Sequence, residues 1–198
     1  MRKILVTFAL FSLLISNASA GLIFQDDFGS GNNRANITGN FGNWSVVSGN
    51  VDLWNFTGAF APGYAVDMSG NQVGSIQTQE MFSFAANATY SLSFLLGNNQ
   101  HTQDNGLIYG FRNSAGVLAS GTISNLKSYL TSLNTSSSVV TLYFTPDSDL
   151  EASIFFTSTG PNDFGGAIID NVKVVPEPST LAILALGLIG LGARRFKK

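Results

Sequence analysis

Two kinds of side chain in this 198-residue sequence are placed to do chemistry: carboxylates in strand-like segments, and aromatics close to runs of amides. Asp170 lies in an alternating stretch, 167–175, where period two puts it on the face of Ile168, Val172 and Val174. An ionised carboxylate turned toward a core is costly unless it is paired, hydrogen-bonded or bound to a metal. Asp170 therefore either accepts hydrogen bonds from backbone amides and the adjacent Asn171, or shares a cation with other oxygens. Sugar recognition asks for exposed aromatic faces, which stack on C–H surfaces, and for amides or carboxylates that reach hydroxyls. Trp44, Trp54, Tyr64 and Tyr109 supply the first, and the polar segment 97–106, with Asn98, Asn99, Gln100, His101 and Asp104, supplies the second. An aromatic in a sandwich strand is usually core, and Trp44, just before Val46 and Val47, is expected there. The candidate ligand contacts are then Trp54, Tyr64, Asn99, His101 and Tyr109.

Other chemistries have little to build on. His101 is the one histidine, cysteine is absent, and no Gly-x-Ser-x-Gly elbow or His-Glu-x-x-His pattern occurs. Catalysis is not expected, although the eleven acidic residues of 21–175 leave a paired-carboxylate hydrolase as a distant third reading. Six of the ten basic residues sit in the terminal segments, so 21–175 holds four basic residues against eleven acidic ones, a net −7. An acidic body repels phosphate backbones, which excludes nucleic acid, and suits calcium, neutral sugars or plain solubility.

The two ends read as addresses. Met1-Arg2-Lys3 is basic, 4–15 is an apolar run broken only by Thr7 and Ser12, and Ala18-Ser19-Ala20 is a small-x-small cleavage site. That layout is a secretory signal peptide over 1–20, with the mature chain starting at Gly21. At the other end come Pro176-Glu177-Pro178, an uncharged stretch 181–193, and Arg194-Arg195-Phe196-Lys197-Lys198. Prolines lack the amide donor, so 176–180 is expected to stand outside any sheet as an extended, accessible neck. The stretch 181–193 is expected to be a single short transmembrane helix with its basic end held in the cytoplasm. This order of parts over 176–198 resembles the PEP-CTERM sorting signal. The resemblance implies recognition by an exosortase, a membrane-embedded protease, with Pro176, Glu177 and Pro178 as the processing site. The cargo would be anchored transiently and then released to the cell surface or extracellular matrix.

Between the ends lie 155 residues without a helix-period stretch, a repeat or a charge run. Tyr90, Leu92, Phe94 and Leu96 alternate with Ser91 and Ser93, and Val140, Leu142 and Phe144 with Val139, Thr141 and Tyr143. Some nine to twelve short strands with frequent turn signals predict an all-β fold, an antiparallel two-sheet β-sandwich over 21–175 with a Phe-rich core in place of disulfides. Leu22-Ile23-Phe24-Gln25-Asp26-Asp27-Phe28, Trp44, the Gly63 to Asp67 strand, Tyr90 to Phe94 and Ile169-Asp170-Asn171-Val172 are together similar to the galactose-binding-like jelly rolls of carbohydrate-binding modules. In such modules a last-strand aspartate and a first-strand acid share a structural calcium, which implies Asp170 with Asp26 or Asp27 as metal ligands here. The expected function is an exported, C-terminally sorted surface or matrix protein that binds exopolysaccharide without catalysis. A purely structural matrix or adhesion role is the alternative.

Overall fold

The computed structural model describes residues 21–29, 32–56, 63–98, 105–126, 138–162 and 164–178. The expected signal peptide with Ala18 and Ala20, and the expected membrane helix over 181–193, lie outside them. Among the described residues no helix is long and apolar enough to cross a membrane.

The alternating segments form strands because each buries a row of side chains against the other sheet, and over 152–156 and 167–170 the second row is buried as well. In chain order these are β1 (Phe24–Asp26), β2 (Arg34–Ile37), β3 (Asn40–Phe41), β4 (Trp44–Ser48), β5 (Val51–Asn55), β6 (Tyr64–Asp67) and β7 (Ser75–Thr78). There follow β8 (Phe82–Phe84), β9 (Tyr90–Asn98), β10 (Gly106–Asn113), β11 (Gly116–Ile123), β12 (Ser138–Phe144), β13 (Leu150–Thr159) and β14 (Ala167–Pro176). One sheet runs β12-β9-β14-β6-β5-β2 with β1 also against β14; the other runs β11-β10-β13-β7-β4-β3 with β8 also against β13. Every pairing is antiparallel. The fold is the expected all-β sandwich of jelly-roll type, with more strands than the nine to twelve expected.

Between the sheets lies one aromatic core. Trp44 has no exposed surface and meets Phe24, Phe28 and Phe156 at ring-centroid distances of 5.6, 5.9 and 5.7 Å. Phe84 meets Tyr90, Phe111 and Phe144 edge-on at 4.9, 5.2 and 5.7 Å. Such pairs each add about 0.5–1.5 kcal/mol beyond the area they bury, which is how a chain without cysteine holds two sheets together.

Two sequence expectations are corrected here. Pro176 does join the sheet: it is the last residue of β14 and lies opposite Tyr90, and the Glu177 amide donates to the Thr89 carbonyl at 2.8 Å. A proline costs a strand only its N–H, and at a strand end nothing needs that donor. The neck therefore stands clear of the sheet only from Pro178, which is exposed. The second correction concerns Asp170. Between Asp170 and Lys173 the β14–β9 ladder carries a bulge, with Asn171 at φ 49°. One extra residue reverses the parity of the strand. Val172 and Val174 face the core, while Ile168 and Asp170 face the opposite side of the sheet.

Candidate functional site

The outer face of the first sheet is where the chemistry gathers. Register sets Gly97 of β9, Ile168 of β14, Asp67 of β6 and Asp52 of β5 in one row across four strands. In the adjacent row Leu95 lies opposite Asp170, and Ala65 opposite Trp54. Ala65 and Ile168 are fully buried and form a small apolar floor against which Phe56 and Leu95 pack. Around it stand Asp67 and Asp170, each 2% exposed, with Trp54 at the rim, 37% exposed. The Trp54 indole N–H donates to Asp52 Oδ2 at 3.2 Å, and Asp52 Oδ1 accepts the Asn36 amide at 2.6 Å. Asp52 thereby fixes the tilt of a partly exposed indole, beside the small, fully buried Ala65.

Asp170 is the perturbed titratable group. Burial lifts its carboxyl from 3.8 to about 6; the Asn171 backbone bond lowers it, and the charges of Asp27 and Asp26 raise it further. The Asn171 amide donates to Oδ1 at 2.6 Å, and the Asn171 side-chain amide to Oδ2 at 3.3 Å. Asp26, expected as a metal ligand, is already spent on nitrogen donors. Its Oδ1 accepts the Phe28 amide at 2.8 Å, and its Oδ2 accepts Asn43 Nδ2 at 3.0 Å and Trp44 Nε1 at 2.9 Å. It ties β1 of one sheet to the β3–β4 corner of the other. Asp27 is exposed and accepts the Gly29 amide at 3.0 Å. Among the described residues no three His, Asp or Glu side chains converge as a metal-holding group.

The expected ligand contacts are not brought to one surface. Tyr64 lies opposite Asn55, with the parity that turns it to the core side, and packs there half-buried. Tyr109 is 7% exposed, edge-on to Phe94 at 4.9 Å, and its ring covers Gly121, so it offers no face to a sugar. Asn99 and His101 lie outside the described residues; β9, which leads to them, ends beside the row of Gly97 and Ile168. Of the proposed aromatics, Trp54 alone presents itself outward.

A cleft of about 420 Å³ at the edge between the sheets, bordered by Gln25, Asn43, Gln79, Glu80 and Phe82, was not foreseen from the sequence. Its size suits a small ligand. Two of its amides are committed to the fold, though: Asn43 to Asp26, and Gln79 Nε2 to the Gly42 and Trp44 carbonyls at 2.8 and 3.1 Å.

Residues 174–197 match the family described as the PEP-CTERM protein-sorting motif. The chain is thus a carrier of that motif, which implies export and sorting to the cell surface through a membrane-anchored intermediate. No curated protein matches the chain. Among solved structures it is similar to the CBM22-1 xylan-binding domain of Paenibacillus barcinonensis Xyn10C, at 9% identity over 81% of this chain and 97% of that one, TM-score 0.47. It is also similar to TmCBM61 in complex with β-1,4-galactotriose, at 16% identity over 71% and 92%, TM-score 0.48. A third is the CBM6cm-2 module of Cellvibrio mixtus lichenase 5A in complex with cellotriose, at 10% identity over 78% and 98%, TM-score 0.45.

Proposed function

We propose that this is an exported surface protein whose sandwich binds a neutral exopolysaccharide, without cleaving it, on the outer face around Trp54. The observation that carries the reading is the indole itself: exposed, fixed by Asp52, and flanked by a residue no larger than Ala65. A flat apolar ring held in one orientation stacks on a sugar's C–H face at little entropic cost. The net negative body favours an uncharged chain over an acidic one. Export and release follow from the sorting motif, with an exosortase-type protease acting on the neck of Pro176, Glu177 and Pro178.

The same reading includes one structural calcium, held by Asp170 and Asp27 with backbone and amide oxygens completing its shell. Support comes from Asp170, a buried carboxylate in the field of two others; Asp26 takes no part because its two oxygens hold three N–H donors that tie the two sheets together. Chelation should then lower the melting temperature of the wild-type chain and leave Asp170→Asn unchanged. Equal melting with and without chelator removes the ion.

The sugar reading is tested by retention of the full chain on the producing organism's own exopolysaccharide. Trp54→Ala should weaken retention about tenfold, the loss of one stacked ring, at unchanged melting temperature. Undiminished retention sinks the assignment of Trp54.

A further inference from the structure

Besides β1 and β8, three-residue strands paired on one side only, the described residues place four strands at the ends of the two sheets: β12, β2, β11 and β3. An edge strand presents unpaired N–H and C=O groups, and folded proteins blunt it with charge, brevity, glycine or a bulge. Three of these edges are blunted. β3 has two residues; β2 has four, with Arg34, a register shift against β5 and Asn36 at φ 54°. β11 carries Gly116 and Gly121, and a bulge interrupts its ladder with β10.

β12 has none of these devices. Its seven residues, Ser-Val-Val-Thr-Leu-Tyr-Phe, hold no charge, proline or glycine, and its ladder with β9 runs unbroken from Ser138 to Phe144. On its outer face Val139 is 68% and Tyr143 64% exposed, with the exposed Thr141 between them. Among the described residues no strand pairs with its other side. The uncharged stretch reaches from 128 to 146.

We infer that β12 is a self-association edge, pairing antiparallel with β12 of a second copy of this chain about a two-fold axis at Thr141. The pattern Val-x-Thr-x-Tyr suits that operation. The two-fold sets Val139 opposite the second copy's Tyr143 and Thr141 opposite its own equivalent. β-branched against aromatic, and threonine against threonine, are the cross-strand pairs that stabilise a sheet. No charge meets a like charge, because none lies within the paired stretch. The register holds whichever alternate set of backbone groups points to the free edge, since residues of one parity oppose each other throughout. A seven-residue ladder with two exposed side chains per copy buries on the order of 1,000 Å² in all, the low end for a specific interface. The pairing is therefore reversible, and it extends the first sheet across both copies.

The natural absence of cysteine makes the test direct. In the detergent-solubilised full chain, Thr141→Cys should yield a disulfide-linked or short-bismaleimide-linked dimer, because the two Cβ atoms lie about 5 Å apart across the axis. Val139→Cys alone should yield roughly tenfold less, because two copies of residue 139 fall about 14 Å apart along the strands. Mixing Val139→Cys with Tyr143→Cys should restore the cross-link. Thr141→Lys should shift the cysteine-free protein from dimer to monomer in sedimentation at unchanged melting temperature. Equal cross-linking of Thr141→Cys and Val139→Cys, or a wild-type chain that sediments as a monomer at high concentration, overturns the pairing.

Discussion

Asp170 and Asp26 are neighbouring carboxylates with opposite roles, and the difference lies in their donors. Asp26 receives three N–H groups, one of them from the fully buried Trp44. Asp26→Ala leaves that indole N–H without an acceptor, and should cost about 1–3 kcal/mol in denaturant unfolding. Asp170 is short of donors and close to other charge, so its carboxyl titrates at about 6 against 3.8 for the unfolded chain. The folded state then binds the proton more tightly. Between pH 4 and 6 it holds more protons than the unfolded state, so stability falls as pH rises through that window. Above it Asp170 is charged in both states and the penalty is full. In the presence of chelator, wild type should lose stability from pH 4 to 6 relative to Asp170→Asn. Parallel curves for the two proteins would show that the carboxylate is not desolvated.

At the scale of the element, one bulge decides which face of the sheet carries Asp170. Asn171 adopts φ 49°, a left-handed conformation that asparagine and glycine tolerate and β-branched residues do not. Asn171→Gly should change stability by less than about 1 kcal/mol, whereas Asn171→Val should cost about 1–2 kcal/mol. A similar loss for both in thermal unfolding would place the effect in the lost amide contact to Asp170 and not in the backbone. The same bulge marks the limit of what alternation reveals. Period two assigned β9 and β12 their core faces correctly, because each ladder is continuous. In β14 it placed Asp170 with Val172, because an inserted residue leaves no trace in a hydrophobic pattern. β11 escaped notice for a related reason: it is an exposed edge without an alternating apolar row. Tyr109 was legible in principle, since Leu107, Tyr109 and Phe111 share one parity and all are buried. Trp54, expected as a ligand contact, differs from Tyr64 and Tyr109 through its strand partner Ala65, eleven positions away, which no local pattern reveals.

The whole molecule has a direction. Val174 of β14 lies opposite Phe24 of β1, and the Ile23 amide donates to the Val174 carbonyl at 3.0 Å. The chain at Ile23 and the start of the sorting motif thus lie at one end of the sandwich. The row of Gly97, Ile168, Asp67 and Asp52 crosses β14 at its other end, eight residues and about 27 Å from Pro176. The tether is short. With Pro176 paired to Tyr90 and the Glu177 amide bound to Thr89, only 178–180 separate the sheet from the apolar stretch, at most about 10 Å of chain. A protease acting at the membrane meets Pro178 first, and reaches Val174 or Val175 only by peeling β14 from β9, the sheet's central pair. The exported, processed protein should consequently end at Glu177 or beyond when its intact mass is measured. A terminus at Val174 or Val175 would mean that the strand end detaches before cleavage, and that the hydrogen bond from Glu177 to Thr89 does not protect the body from trimming.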